Sequence, residues 1–226
     1  MSEPKAGNAG ARSLTACILA LAVAAGFVDA ASYLGLGKIF TANMTGNTVL
    51  LGVAVATGSG SDAARAVTAL GGFTLGVGLA VLVLGRLKGP WPHNSAAALL
   101  LEVAALVALL TLWTVVGVGS LRFPLIALSA ISMGVQSAIV RAAETGGVAT
   151  TYVTGTLTGA IARLVQRAAG TASEHSPGPQ LPGAVWVIYA LGALGGAVSE
   201  HALAGAVIAV PLAIVCVITA AALAGG

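Results

Sequence analysis

A chain of 226 residues that is 58% hydrophobic and 8% charged cannot cover a soluble globule, whose residues are about one quarter charged. The mean hydropathy of +0.99 makes the same point. The net charge of +3 comes without a basic stripe interleaved with aromatics, which excludes a nucleic-acid binder. Cys17 and Cys216 lie in apolar runs and read as small hydrophobes, and no Cys/His spacing suits a metal. Neither a disulfide framework nor a metal or other cofactor is expected. The composition predicts an all-α, polytopic integral membrane protein, with residues 1–226 forming a single membrane domain.

Lys5 and Arg12 precede the first apolar run, which contains Ala22-Val23-Ala24. A signal-peptide cut there would sever the run just before Asp29, and the rest of the chain is equally apolar, so the run reads as a span. Six segments approach the twenty or so apolar residues that a bilayer requires. They are Leu14–Leu34, Ala64–Leu84, Ala96–Val116, Phe123–Val140, Ala184–Val198 and Ala202–Ala222. Pro211 is expected to kink the last of them. Trp91, in the Pro/Gly loop after Lys88, is an expected interface anchor, and the run from Glu174 to Gln180 is an expected solvent loop.

Two further stretches, Asn43–Thr57 and Thr150–Val165, are shorter and more polar. Each holds about half a membrane of apolar helix. They read either as half-helices that enter and return or as full polar spans. If they re-enter, Lys5, Arg12, Arg86, Lys88, Arg141, Arg163 and Arg167 share the N-terminal side, against Lys38, Arg65 and Arg122 on the other. If all eight stretches cross, the split falls to six against four. The positive-inside rule favours six spans with both termini cytoplasmic.

The halves correspond, at about residues 12–117 and 121–224. Met44-Thr45-Gly46-Asn47 is echoed 109 residues later by Val153-Thr154-Gly155-Thr156, and Gly72-x-x-x-Gly76 is matched to Gly192-x-x-x-Gly196. Small residues at that spacing let helix backbones approach closely. Three spans per half force opposite orientations, which is an inverted 3+3 repeat, a plan that places binding sites where broken helices meet.

Gly26-Phe-Val-Asp29-Ala, then Phe40-Thr-Ala-Asn43-Met-Thr45-Gly46-Asn47, then Thr150-Thr-Tyr-Val-Thr154-Gly155 resembles the YoaK family of bacterial multi-span membrane proteins, a family of unknown function. The resemblance covers nearly the whole chain. It implies a small protein of the bacterial inner membrane, with a polar residue near Gln136 and a basic one near Arg141. It implies no substrate.

Asp29 is the leading candidate for chemistry. An acid inside a span is costly, faces the bundle interior and often marks a proton relay. It is otherwise a structural partner, capping a half-helix start or pairing with Arg141. Asn43, Thr45, Gly46 and Asn47 are expected to form a cradle at a positive helix end, with Gly46 admitting a ligand and Thr154-Gly155 mirroring it. Ordinary N-capping is the alternative. Gln136, Arg141 and Glu144 complete the candidates, Arg141 standing also as an inside anchor. Glu102 reads either as a second proton site or as a residue that snorkels to the interface. Ser199-Glu200-His201 is expected in an interfacial turn, since adjacent helical residues diverge and make a poor catalytic unit. No enzymatic activity is expected. The expected function is transport of a small polar or anionic solute, possible proton coupling lying with Asp29. A channel with two re-entrant half-helices and a non-transporting scaffold are the alternatives. Lipid, a small-molecule or ion substrate and a second copy of the chain are the expected partners.

Overall fold

The structure, a computed structural model, describes residues 5–85, 95–143, 153–171 and 180–224, and their side chains except those of 5–12 and Val153. The expectations for Arg86, Lys88, Trp91, Glu144, Thr150, Thr151 and the loop from Glu174 lie outside these residues. The helices are α1 (Lys5–Gly35), α2 (Met44–Ala56), α3 (Gly60–Leu84), α4 (Ala96–Val115), α5 (Arg122–Ala142), α6 (Val153–Ala168), α7 (Gln180–Leu203) and α8 (Ala209–Ala224). Among the described residues there is no strand.

Five stretches are long and apolar enough to cross a bilayer: Ser13–Gly35, Gly60–Leu84, Ala96–Val115, Arg122–Ala142 and the 45-residue Gln180–Ala224. Their outer surfaces expose Leu75, Val81, Val107 and Val217. Water does not favour such a surface, and hydrocarbon does. Helices also satisfy their own backbone groups, which lipid cannot do for them. The chain is therefore a polytopic α-helical membrane protein.

The longest stretch is two helices. A 3-10 turn, Ala204–Ile208, separates α7 from α8, and Ala204 takes a positive φ of 46° there. The last turn of α7 brings Glu200 against Gly35 at the end of α1, and Gly205 meets the Trp113 ring near the end of α4. From that corner α8 packs back along α1 and α4. Pro211 lies in the first turn of α8 and not in mid-helix. Its missing N–H has no intrahelical partner to lose there, so no kink is required. Ser199, Glu200 and His201 belong to the last turn of α7 and are helical, where a turn was expected.

Two glycine-lined pairs organise the bundle. On α7, Gly192 lies on the Val23 backbone and Gly196 on that of Phe27, while Gly26 of α1 abuts the Tyr189 carbonyl. On α3, Gly72 lies on Ala127 and Gly76 on Ile131, while Gly134 of α5 abuts the Phe73 carbonyl. Residue numbers rise together within each pair, so α1 runs parallel to α7 and α3 parallel to α5. Backbones this close leave no room for a Cβ.

The segment after α1 does not cross the molecule. Gly37 and Lys38 both take positive φ, 102° and 58°, and turn the chain back. By Thr41 and Ala42 it is again level with Asp29, whose carboxylate it meets. Asp29 stands six positions before the end of α1, about 9 Å by helical rise. Further along α2, Leu50, Val53, Ala54 and Thr57 share a cavity wall with Gly37, Lys38 and Arg65. So α2 starts inside the length of α1 and leaves on the side where α1 ended. In the second half, Ala160 of α6 faces Gly183, and Leu164 shares a cavity wall with Gln180. α6 is thus antiparallel to α7, and Thr154, six positions before Ala160, projects to about the level of Tyr189.

Candidate functional site

Asp29 is buried where three segments meet. Its Oδ1 accepts the N–H groups of Thr41 at 2.7 Å, Ala42 at 2.6 Å and Asn43 at 3.4 Å. Its Oδ2 accepts the hydroxyl of Tyr189 on α7 at 2.5 Å. The three successive N–H groups of the turn leading into α2 converge on one carboxylate oxygen and so stabilise its negative charge. One side chain thereby ties α1, the turn before α2, and α7.

Below this turn lies a hydroxyl triangle that brings in α5. Ser32 is 3.1 Å from Thr41 and 3.2 Å from Ser129, and Ser129 donates to Thr41 at 2.8 Å. All three are fully buried. Asn47 locks the turn from the other side. Its Oδ1 accepts the Phe40 N–H at 3.1 Å and its Nδ2 donates to the Phe40 carbonyl at 2.7 Å, imitating a backbone pair. Asn43 caps α2 by accepting the Gly46 N–H at 3.1 Å. A Cβ on Gly46 would press on the Phe40 ring, which itself stacks on Tyr33.

Of the two expectations for this segment, Asn43 meets that of an ordinary N-cap. Of the donors at the expected cradle, the Asn43 N–H is held by Asp29 and the Gly46 N–H by Asn43, and the space beside Gly46 is filled by Phe40. Thr45 is exposed and takes no part in the cluster. Gln136 is fully buried on α5 and donates to the Leu21 carbonyl at 3.0 Å. Arg141 is exposed, twelve residues along α5 from Ser129, about 18 Å by helical rise. It does not stand beside Asp29. Thr154 is exposed and Gly155 half-buried at the start of α6, while Thr156 is buried. No group of three or more His, Cys, Asp or Glu suited to a metal occurs among the described residues.

Sequence reasoning missed Tyr189, Ser32, Thr41 and Ser129. The spacing of Ser129, Ser132 and Gln136, at i, i+3 and i+7, was the available signal. That spacing puts all three polar residues on one stripe of a helix.

Fold and site together define a polytopic helical membrane protein in which a buried carboxylate holds the turn that precedes a short helix. The chain belongs to the family described as "Protein of unknown function (DUF1275)", whose profile matches residues 17–222. It is 39% identical over 138 residues to "UPF0700 transmembrane protein YoaK" of Bacillus subtilis (strain 168). That match covers 61% of this chain and 61% of the relative. No solved structure matches.

Proposed function

We propose that this chain is a small membrane transporter that moves a small polar solute through the centre of the bundle, with Asp29 coupling the movement to protons. The observation that carries the reading is the Asp29 carboxylate, which holds two spans and a broken helix start through four hydrogen bonds. Protonation would remove the charge that the turn stabilises, and so would favour a different packing of α2 and α7. Because Asp29 already occupies the anion seat, a neutral or cationic solute fits the site better than an anionic one. The full burial of Ser32, Thr41 and Ser129 suits a closed state of a carrier better than an open channel.

The architecture we infer is an inverted repeat of six crossing helices with α2 and α6 as half-helices. Gly26 and Gly134 take equivalent places at an offset of 108, and Gly76 and Gly192 at an offset of 116. On this alignment the two Gly-x-x-x-Gly runs are one turn out of register, because Gly76 and not Gly72 answers Gly192. The charge distribution supports cytoplasmic termini in a bacterial inner membrane. No chemical conversion of the solute is part of this reading.

The test uses proteoliposomes loaded with a pH-sensitive dye and challenged with glycine, urea, glycerol and methylammonium. Wild type should acidify or alkalinise the lumen with at least one of them, and Asp29→Asn should abolish the change while eluting as a folded protein. Solute-driven proton movement that persists in Asp29→Asn would overturn the coupling role.

A further inference from the structure

Glu102 is the buried acid that the Asp29 site does not use. It lies on the buried side of α4, with Leu99, Leu106 and Leu109, and is fully buried itself. Neither carboxylate oxygen has a hydrogen-bond partner among the described residues. It does not snorkel. An isolated ionised carboxylate at such a place costs several kcal/mol or more, so acids are kept inside membrane proteins where a proton or ion is handled.

Its level in the bundle can be fixed. α4 ends at Val115 and α5 begins at Arg122, so the two helices form an antiparallel hairpin, and they pack extensively. Glu102, thirteen residues before the end of α4, is level with Val135, thirteen residues after the start of α5. Ser132 and Gln136 flank that level on the α5 stripe. Both are fully buried, and the Ser132 hydroxyl has no partner among the described residues. One turn further, Ser129 joins the hydroxyl triangle with Thr41 and Ser32, next to the turn that Asp29 holds. A line of buried polar groups on α5 therefore connects the levels of the two acids.

No fixed charge stands at the level of Glu102 among the described residues. α5 brings Arg122 and Arg141 only at its ends, α3 brings Asp62 and Arg65 near its start, and α8 brings Cys216, which is exposed. Asp29, on α1, is the other buried acid among the described residues and is held by its own partners. A carboxyl group without a counter-charge takes up a proton in preference to a metal cation, which would need several oxygen ligands.

We propose that Glu102 is a second proton-binding site, joined to Asp29 by the Gln136, Ser132 and Ser129 stripe of α5. The inference rests on the transport reading for its purpose, and its test does not. A carboxylate oxygen of Glu102 takes the proton from water entering where α4 begins, and releases it along the stripe toward Asp29 through intervening water. No bond other than O–H forms or breaks.

The test is infrared difference spectroscopy of the purified protein in lipid through a pH jump. A protonated-carboxyl carbonyl band that shifts in deuterated water should be present in wild type and Asp29→Asn, and absent in Glu102→Gln. Ser132→Ala should shift that band without removing it. A wild-type spectrum without such a band, or a band unchanged in Glu102→Gln, overturns the proposal. Proteoliposome flux then separates the two readings. If Glu102→Gln lacks the band while wild type moves no solute, the proton site stands and the transport reading falls.

Discussion

Gly134→Leu is expected to prevent stable folding, or to destabilise the protein by more than about 3 kcal/mol, the upper range of ordinary overpacking. A Cβ at Gly134 would overlap the Phe73 carbonyl oxygen and stand 3.0 Å from the backbone nitrogen of Val77. The obstructing atoms are backbone, so no rotamer change relieves the overlap. The α3–α5 pair would have to separate, and every contact along it would loosen. Gly26→Leu should behave alike, because its Cβ would meet the Tyr189 carbonyl and the Ala193 nitrogen on the α1–α7 pair. Gly78→Leu is the control. It lies on α3 with nothing within 4 Å, and should be tolerated. Unfolding in mixed micelles would rank the three variants.

Asp29→Ala should cost about 3–5 kcal/mol, the range for removing one member of a buried charged network. The substitution strands the N–H groups of Thr41, Ala42 and Asn43 and the Tyr189 hydroxyl at a buried place. Each buried donor left without an acceptor costs about 1–3 kcal/mol, and relaxation of the turn recovers part of the sum. Asp29→Asn keeps one acceptor oxygen for the turn and should cost less. A smaller loss for Asp29→Ala than for Asp29→Asn would mean that the turn does not depend on the carboxyl oxygen. The same unfolding series reads both variants, and no transport assay is involved.

Much of this architecture was legible because lipid constrains a sequence so strongly. Asn43 and Thr57 were marked as the limits of a short polar stretch, and they cap α2 at its two ends. Polar residues inside apolar runs are costly unless satisfied, so Asp29, Asn47 and Gln136 stood out before any partner was known. The chain leading into α2 was an expected partner of Asp29, but the side-chain partners were not legible. Tyr189 lies 160 residues from Asp29, and Ser129 lies 88 from Thr41. Serine, threonine and tyrosine are cheap enough in a helix to pass as ordinary residues. Gly46 shows a related limit. A glycine signals close approach without saying to what, and here it admits the Phe40 ring. Spacing matches Gly72-x-x-x-Gly76 to Gly192-x-x-x-Gly196, whereas the carbonyl that each glycine faces, Ile131 for Gly76 and Val23 for Gly192, is visible only in the packing.

The central claim of the proposed architecture is that α2 returns to the side on which α1 ends, where Thr57 shares a cavity wall with Gly37 and Lys38. Single cysteines at Lys38 and Thr57, in a background with Cys17 and Cys216 replaced by alanine, test it directly. A membrane-impermeant maleimide applied to sealed vesicles of known orientation should label both positions from the same side. Labelling of Lys38 and Thr57 from opposite sides would make α2 a crossing helix and contradict the account.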